Sequence, residues 1–191
     1  MKQQFDAYDA YYFSVKRSGG YWVYYILNEF TEQNGIVQSV QVSSEFMGYA
    51  GDDKDEDEAY AQFAQDWERY SVDQVLARYG LPSRVRVWLG ENAGGSLLYS
   101  LYIFYDDLGI GIRYGGPAYA AGESLRTCFL YDHIRLWLQS PKSSEPLDRH
   151  ITADEWSVSD DIEKAIGMSV EEFYETFRYP GTCLEVPGEA P

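Results

Sequence analysis

The sequence predicts an α+β fold, an antiparallel β-sheet meander with helices packed on one face. Three observations predict it. After Pro82 come three strand-like runs, residues 84–89, 97–105 and 110–114, separated only by residues 90–96 and 106–109. Connections that short imply antiparallel neighbours, because a parallel pair needs a crossover of a dozen residues or more. Segments with apolar residues at helical spacing, bounded by Ser-x-x-Gln or Ser-x-x-Glu at the start and Gly or Pro at the end, flank that block as helices. Finally, aromatic residues make 17% of the chain, 18 of them Tyr. Such rings suit half-buried strands, since the ring packs while the hydroxyl reaches water or a partner.

Residues 5–15 (FDAYDAYYFSV) read as an aromatic strand without clean alternation. Residues 21–30 (YWVYYILNEF) and 36–42 (IVQSVQV) carry the aromatic and β-branched residues of strands. Asn34-Gly35 between them tolerates positive φ at both positions, which predicts a hairpin. That hairpin either extends the main sheet or makes a small second one. Asp52, Asp53, Asp55, Glu56, Asp57 and Glu58 follow. Asp53, Asp55 and Asp57 match positions 1, 3 and 5 of a calcium loop, but Glu58 stands where the turn needs Gly, and Ala64 where a bidentate Glu is needed. The run is therefore expected to be a solvated loop feeding a helix that begins near Glu58, with Tyr60, Phe63 and Trp67 on its apolar face.

Residues 71–79 are the clearest helix. Ser71 and Gln74 form a capping-box pattern, Val72, Val75, Leu76 and Tyr79 share a face, Gly80 supplies the stop and Pro82 forbids continuation. Beyond the meander, residues 115–122 are expected to be a loop, and residues 128–138 (CFLYDHIRLWL) a strand with Ile134, Leu136 and Leu138 on one face. Residues 141–146 read as a linker-like loop. Thr152/Glu155 and Ser169/Glu172 are two more capping boxes, the second opening a helix with Val170, Phe173, Tyr174 and Phe177 as its stripe. One domain spans 1–191: N-terminal strands and hairpin (1–50), acidic loop and helices (51–82), meander (83–140), and a helical C-terminal segment and tail (141–191).

Thirty-one acidic against 15 basic residues give a formal charge of −16, which repels phosphate backbones and anionic headgroups. Nucleic acid is thus a poor partner. No apolar run approaches the roughly 20 residues of a spanning helix, so direct membrane insertion is not expected. Met1 leads straight to Asp6 and Asp9 without an apolar stretch, so the chain is expected to be either cytosolic or one whose leader has been removed.

The chemistry-bearing residues do not assemble into a known catalytic pattern, and no enzyme activity, cofactor or metal is expected. Asp132 and His133 are adjacent, so on a regular strand they face apart, as do Cys128 and His133. The pairs Asp106-Asp107, Asp160-Asp161 and Glu171-Glu172 fall in turns or first helical turns, where acids serve structure. The series from Gly109 to Gly115 departs from a dinucleotide fingerprint, with strand formers where a helix must start. Cys128 and Cys183 are the only cysteines. They are either a disulfide, for which chain entropy gives about 4 kcal/mol, or two unrelated buried thiols of a cytosolic protein.

Ser71–Val85, with its helix, Tyr79-Gly80-Leu81-Pro82 turn and strand, is followed by Leu101–Tyr105, Leu108-Gly109-Ile110, Ile134–Leu138 with Ser140-Pro141, Phe173-Tyr174 and Cys183-Leu184-Glu185-Val186-Pro187. This series resembles a group of uncharacterised bacterial exported lipoproteins over residues 71–187. The order of helix, Gly-x-Pro and antiparallel meander is also similar to the fold of small outer-membrane-assembly lipoproteins and β-lactamase inhibitor proteins, which act by protein contact through an exposed sheet face. The chain departs from the group in having no lipobox cysteine and no N-terminal cysteine motif. The resemblance implies an exported protein, and with it a Cys128–Cys183 disulfide.

The expectation is a non-enzymatic binding or structural module of the bacterial cell envelope with a protein partner. An aromatic sheet face would be its contact surface, with Tyr102, Tyr105 and Tyr114 as the candidate rings. The alternative is an immunity- or inhibitor-type protein that neutralises a basic partner through the acidic run from Asp52 to Glu58.

Overall fold

The computed structural model describes residues 2–4, 9–19, 21–33, 36–46, 53–141, 143, 146–151 and 159–187. The aromatic and β-branched runs of the first fifty residues form strands β1 (Lys2–Gln4), β2 (Asp9–Gly19), β3 (Tyr21–Gln33) and β4 (Ile36–Phe46), paired antiparallel in sequence order. Helix α1 (Asp53–Trp67), a 3-10 turn (Glu68–Tyr70) and helix α2 (Val72–Tyr79) follow. Strands β5 (Arg84–Glu91), β6 (Leu97–Tyr105) and β7 (Ile110–Pro117) then make the expected meander, with Val85, Ile103 and Ile112 in register. Short strands β8 (Tyr119–Ala121) and β9 (Ser124–Thr127) lead to β10 (His133–Gln139). After a 3-10 turn (Leu147–His150) come β11 (Asp160–Asp161), helices α3 (Ile162–Ile166) and α4 (Val170–Phe177), and β12 (Leu184–Pro187).

Strand β10 inserts between β4 and β7, so the N-terminal strands and the meander share one antiparallel sheet ordered β1-β2-β3-β4-β10-β7-β6-β5-β11. Strands β12-β9-β8 make a second, small sheet. The class is α+β, as the short connections predicted. No helix among the described residues is long and apolar enough to cross a membrane.

Period-two alternation sorts the central strands into two faces. Val85, Val87, Leu101, Ile103, Ile112 and Ile134 point to the helices, where Phe63, Trp67, Val75, Leu76, Phe173 and Phe177 cover them. Each such fully buried side chain contributes about 1.5–3 kcal/mol. Two tyrosines on this face finish on helix-layer carbonyls: Tyr105 donates to Gly80 O at 3.1 Å and Tyr114 to Tyr70 O at 2.7 Å. On the other face Tyr102, Phe104 and Trp137 are buried with Leu147 and Ile151, and Trp137 Nε1 donates to Leu147 O at 3.0 Å. The same face bears Arg84, Arg86, Arg113 and Arg135, and the cross-strand line Arg86–Tyr102–Arg113–Arg135 runs through four strands. Arg84 grips Asp106 by two bonds, 2.9 and 2.8 Å, and Asp148 by one of 3.0 Å. Arg86 is held by Ser159 and Asp161.

Several local expectations change. The acidic run, apart from Asp52, is not a loop: α1 starts at Asp53, so the acids form the first turns, where the helix dipole favours them. Ser71 precedes α2, yet its hydroxyl donates to Asp73 Oδ1 at 2.7 Å instead of capping, and Gln74 donates to the other Asp73 oxygen at 3.2 Å. Asp73 therefore takes both members of the expected capping box. At Ser169 the box is formed, with Glu172 N to Ser169 Oγ at 3.1 Å and Ser169 N to Glu172 Oε2 at 2.8 Å. Residues 115–122 contain the end of β7 and all of β8 rather than a loop. The expected strand 128–138 begins only at His133, because Phe129 has φ +52° and its N–H turns to Thr127 Oγ1. Within β10, Leu138 is 43% exposed whereas Trp137 on the opposite face is fully buried. The Asn34-Gly35 turn, residues 5–8, Asp52 and the Thr152/Glu155 box lie outside the described residues.

Candidate functional site

The site grows from the place where the small sheet meets the helices. In the β9–β12 ladder Thr127 lies opposite Leu184, so one step further Cys128 faces Cys183. Their Cα atoms are 3.9 Å apart and the two are joined as a disulfide. Thr127, Leu184 and Val186 point into the core, while the alternate residues Arg126, Cys128, Cys183 and Glu185 belong to the outward face. Immediately after the bridge, Phe129 turns inward and packs at 5.5 Å from Tyr99 and 5.0 Å from Phe177, ring centre to ring centre. Gly116 permits this, since a Cβ there would overlap the Leu130 carbonyl. With Phe129 anchored, Leu130 is turned out, 51% exposed.

A groove of about 230 Å³ opens beside the bridge. Its walls are Tyr60 and Ala64 of α1 with Glu68, the start of α2 at Ser71–Asp73, the segment Cys128–Tyr131, and the turn at residues 179–182 after α4. The volume is below the ~300 Å³ at which pockets for drug-sized ligands begin and is about that of one or two amino-acid side chains. Tyr179 is 57% exposed on its rim and carries the Arg178 guanidinium 5.0 Å above its ring. The inner tyrosines spend their hydroxyls on backbone: Tyr60 donates to Tyr131 O at 3.2 Å and Tyr131 to Trp67 O at 3.0 Å. Burial, then the Asp132 carboxylate, pushes the Tyr60 phenol up to about 12. Burial likewise raises Tyr131 and raises the Asp132 carboxyl above its ordinary value. The groove thus offers ring faces and apolar surface, with Glu68 and Asp73 as its carboxylates.

The residues singled out from sequence are distributed differently. Tyr102, Tyr105 and Tyr114 are 1%, 3% and 0% exposed, so they form no accessible face. The central strands are covered on both sides, by helices over Tyr105 and Tyr114 and by residues 147–151 over Tyr102. Cys128 and Cys183 come together. Asp53, Asp55, Glu56, Asp57 and Glu58 lie in α1, at the end of the helix away from Glu68. Cys128, held in the bridge, is outside β10 and His133 is at its first residue. The paired carboxylates do structural work: Asp106 binds Arg84, Asp161 binds Arg86, Asp160 binds Lys164, and Glu172 completes a cap. Among the described residues no three His, Cys, Asp or Glu side chains converge as a metal site. Leu130 and Tyr179 went unnoticed in the sequence. The signals were an apolar residue just past a cysteine and an aromatic residue directly before Pro180-Gly181.

No protein-family model, no curated protein and no solved structure matches this chain.

Proposed function

We propose that the protein is a non-enzymatic binding module of the bacterial cell envelope, and that it holds a protein partner at the disulfide-flanked groove. The observation that carries this reading is the segregation of its rings. The rings of β6, β7 and Trp137 of β10 are buried, whereas the rings of Tyr179 and Tyr119 are at least half exposed, as is the aliphatic side chain of Leu130. Leu130 and Tyr179 frame a groove of side-chain size whose two walls are tied by Cys128–Cys183. An exposed aromatic residue and an exposed apolar one beside a pocket suit partner recognition, and a structural disulfide suits an oxidising compartment outside the cytoplasm.

The test is photo-crosslinking in the native organism from a probe placed at Tyr179. One partner band is expected, abolished by Leu130→Asp and retained with Leu81→Asp, a position 47% exposed outside the groove. Equal loss with both variants, or retention with both, sinks the proposal.

The acidic immunity-type reading has one supporting observation, namely that the helix opening with the acidic run also forms a groove wall through Tyr60 and Ala64. A partner held by that charge would be released by raising the salt, because exposed ion pairs are screened. One held by Leu130 and Tyr179 would stay.

A further inference from the structure

We propose that the Cys128–Cys183 bridge is a directional thiol–disulfide exchange site: a small cationic thiol entering the groove is joined to Cys128, while Cys183 departs as the thiolate. Two independent features of the site set this direction, and neither depends on what the groove otherwise holds.

The first is charge. Arg126 Nη2 lies 3.4 Å from Cys183 Sγ. A guanidinium at that distance stabilises a thiolate, and the sulfur with the more stable thiolate is the better leaving group. Cys128 instead lines the groove whose carboxylates are Glu68 and Asp73, so a thiol approaching that sulfur crosses an acidic lining. Glu185 lies directly across the ladder from Arg126 and moderates the guanidinium charge.

The second feature is access. Displacement at a disulfide runs through a thiolate attacking one sulfur as the other leaves. The groove is lined by Cys128 and not by Cys183, so an entering thiol meets the Cys128 end. The attacking thiolate forms a bond to Cys128 Sγ as the Sγ–Sγ bond breaks, and that electron pair goes to Cys183. One disulfide is exchanged for another, so no external oxidant or reductant is required. The product is a mixed disulfide on Cys128 and a free Cys183 beside Arg126, and the 128–131 wall is no longer tied to the 179–183 wall.

Cysteamine is a suitable probe. The intact oxidised chain is exposed to it briefly, quenched in acid, alkylated with N-ethylmaleimide and mapped by peptide mass spectrometry. The cysteamine adduct is expected on Cys128 over Cys183 by roughly threefold or more, because the better-stabilised thiolate leaves faster. Arg126 is exposed, so Arg126→Gln leaves the fold in place. It is expected to lower the ratio, Arg126→Lys to preserve it, and Glu185→Gln to raise it. Mercaptoethanesulfonate, of the same length but anionic, is expected to react more slowly than cysteamine when both rates are expressed per thiolate. An adduct shared equally or favouring Cys183, a ratio unmoved by Arg126→Gln, or equal rates per thiolate for the two thiols overturns the proposal.

Discussion

The two faces of the central sheet bury side chains of similar size and hold them by different forces. Toward the helices, Leu101, Ile103, Ile112 and Ile134 are at most 1% exposed and lie in a continuous apolar cluster. On the far side Tyr102, Phe104 and Trp137 are equally buried, but they share their face with four arginines. There the Arg84 guanidinium lies 4.6 Å from the Phe104 ring centre, and Trp137 donates to the Leu147 carbonyl. The first face depends on volume, so it should accept swaps that conserve volume. The second depends on named partners, so losing one strands another polar group.

Three measurements break or sharpen that contrast. The largest effect belongs to the helix side: Leu101→Ala should cost about 3–4 kcal/mol by urea unfolding, whereas Leu101→Met should cost less than about 1.5. Comparable losses for both would mean that shape, not volume, governs this face. On the other side, Arg84→Met conserves much of the packing over Phe104 but frees Asp106 and Asp148. Their side chains are 39% and 22% exposed, so water replaces part of the lost bonding and about 1–2 kcal/mol is expected. A neutral result would place both faces under the same apolar rule.

The smallest effect concerns Asp132, at the seam between the groove and β10. Burial, and after it the Glu45 charge, raises its folded pKa above the ordinary 3.8. The native state then binds this proton more tightly than the unfolded one, so stability falls as pH rises from 3.8 through the raised value and stays lowered above it. Asp132→Asn should therefore stabilise the protein at neutral pH, with the gain vanishing in acid. A gain that persists below pH 3.8 would show that the charge is not the cause.

What the sequence made legible followed from short-range rules. The meander could be read because Arg84-Val85-Arg86-Val87 alternates and its connections are short, and α4 because Ser169 and Glu172 cap each other. The same rules missed at Ser71, where Asp73 offered its hydroxyl a nearer acceptor, and at 128–132, where Thr127 stabilises a turn inside an apolar run. Gly109 shows the limit well. Its φ of +66° fits a turn, but its Cβ would overlap the Gln139 carbonyl, a contact made by a strand thirty residues later.

By itself the sequence determined the class, the antiparallel meander, the helical faces and the absence of any familiar catalytic spacing, because each depends on residues a few positions apart. The tertiary structure decided which tyrosines are hidden, that β10 welds the N-terminal strands to the meander, and that Cys128 meets Cys183 at a groove rimmed by Leu130 and Tyr179. Those depend on which segments lie over which face. Periodicity tells a strand that it has two sides, and only packing decides what covers each of them.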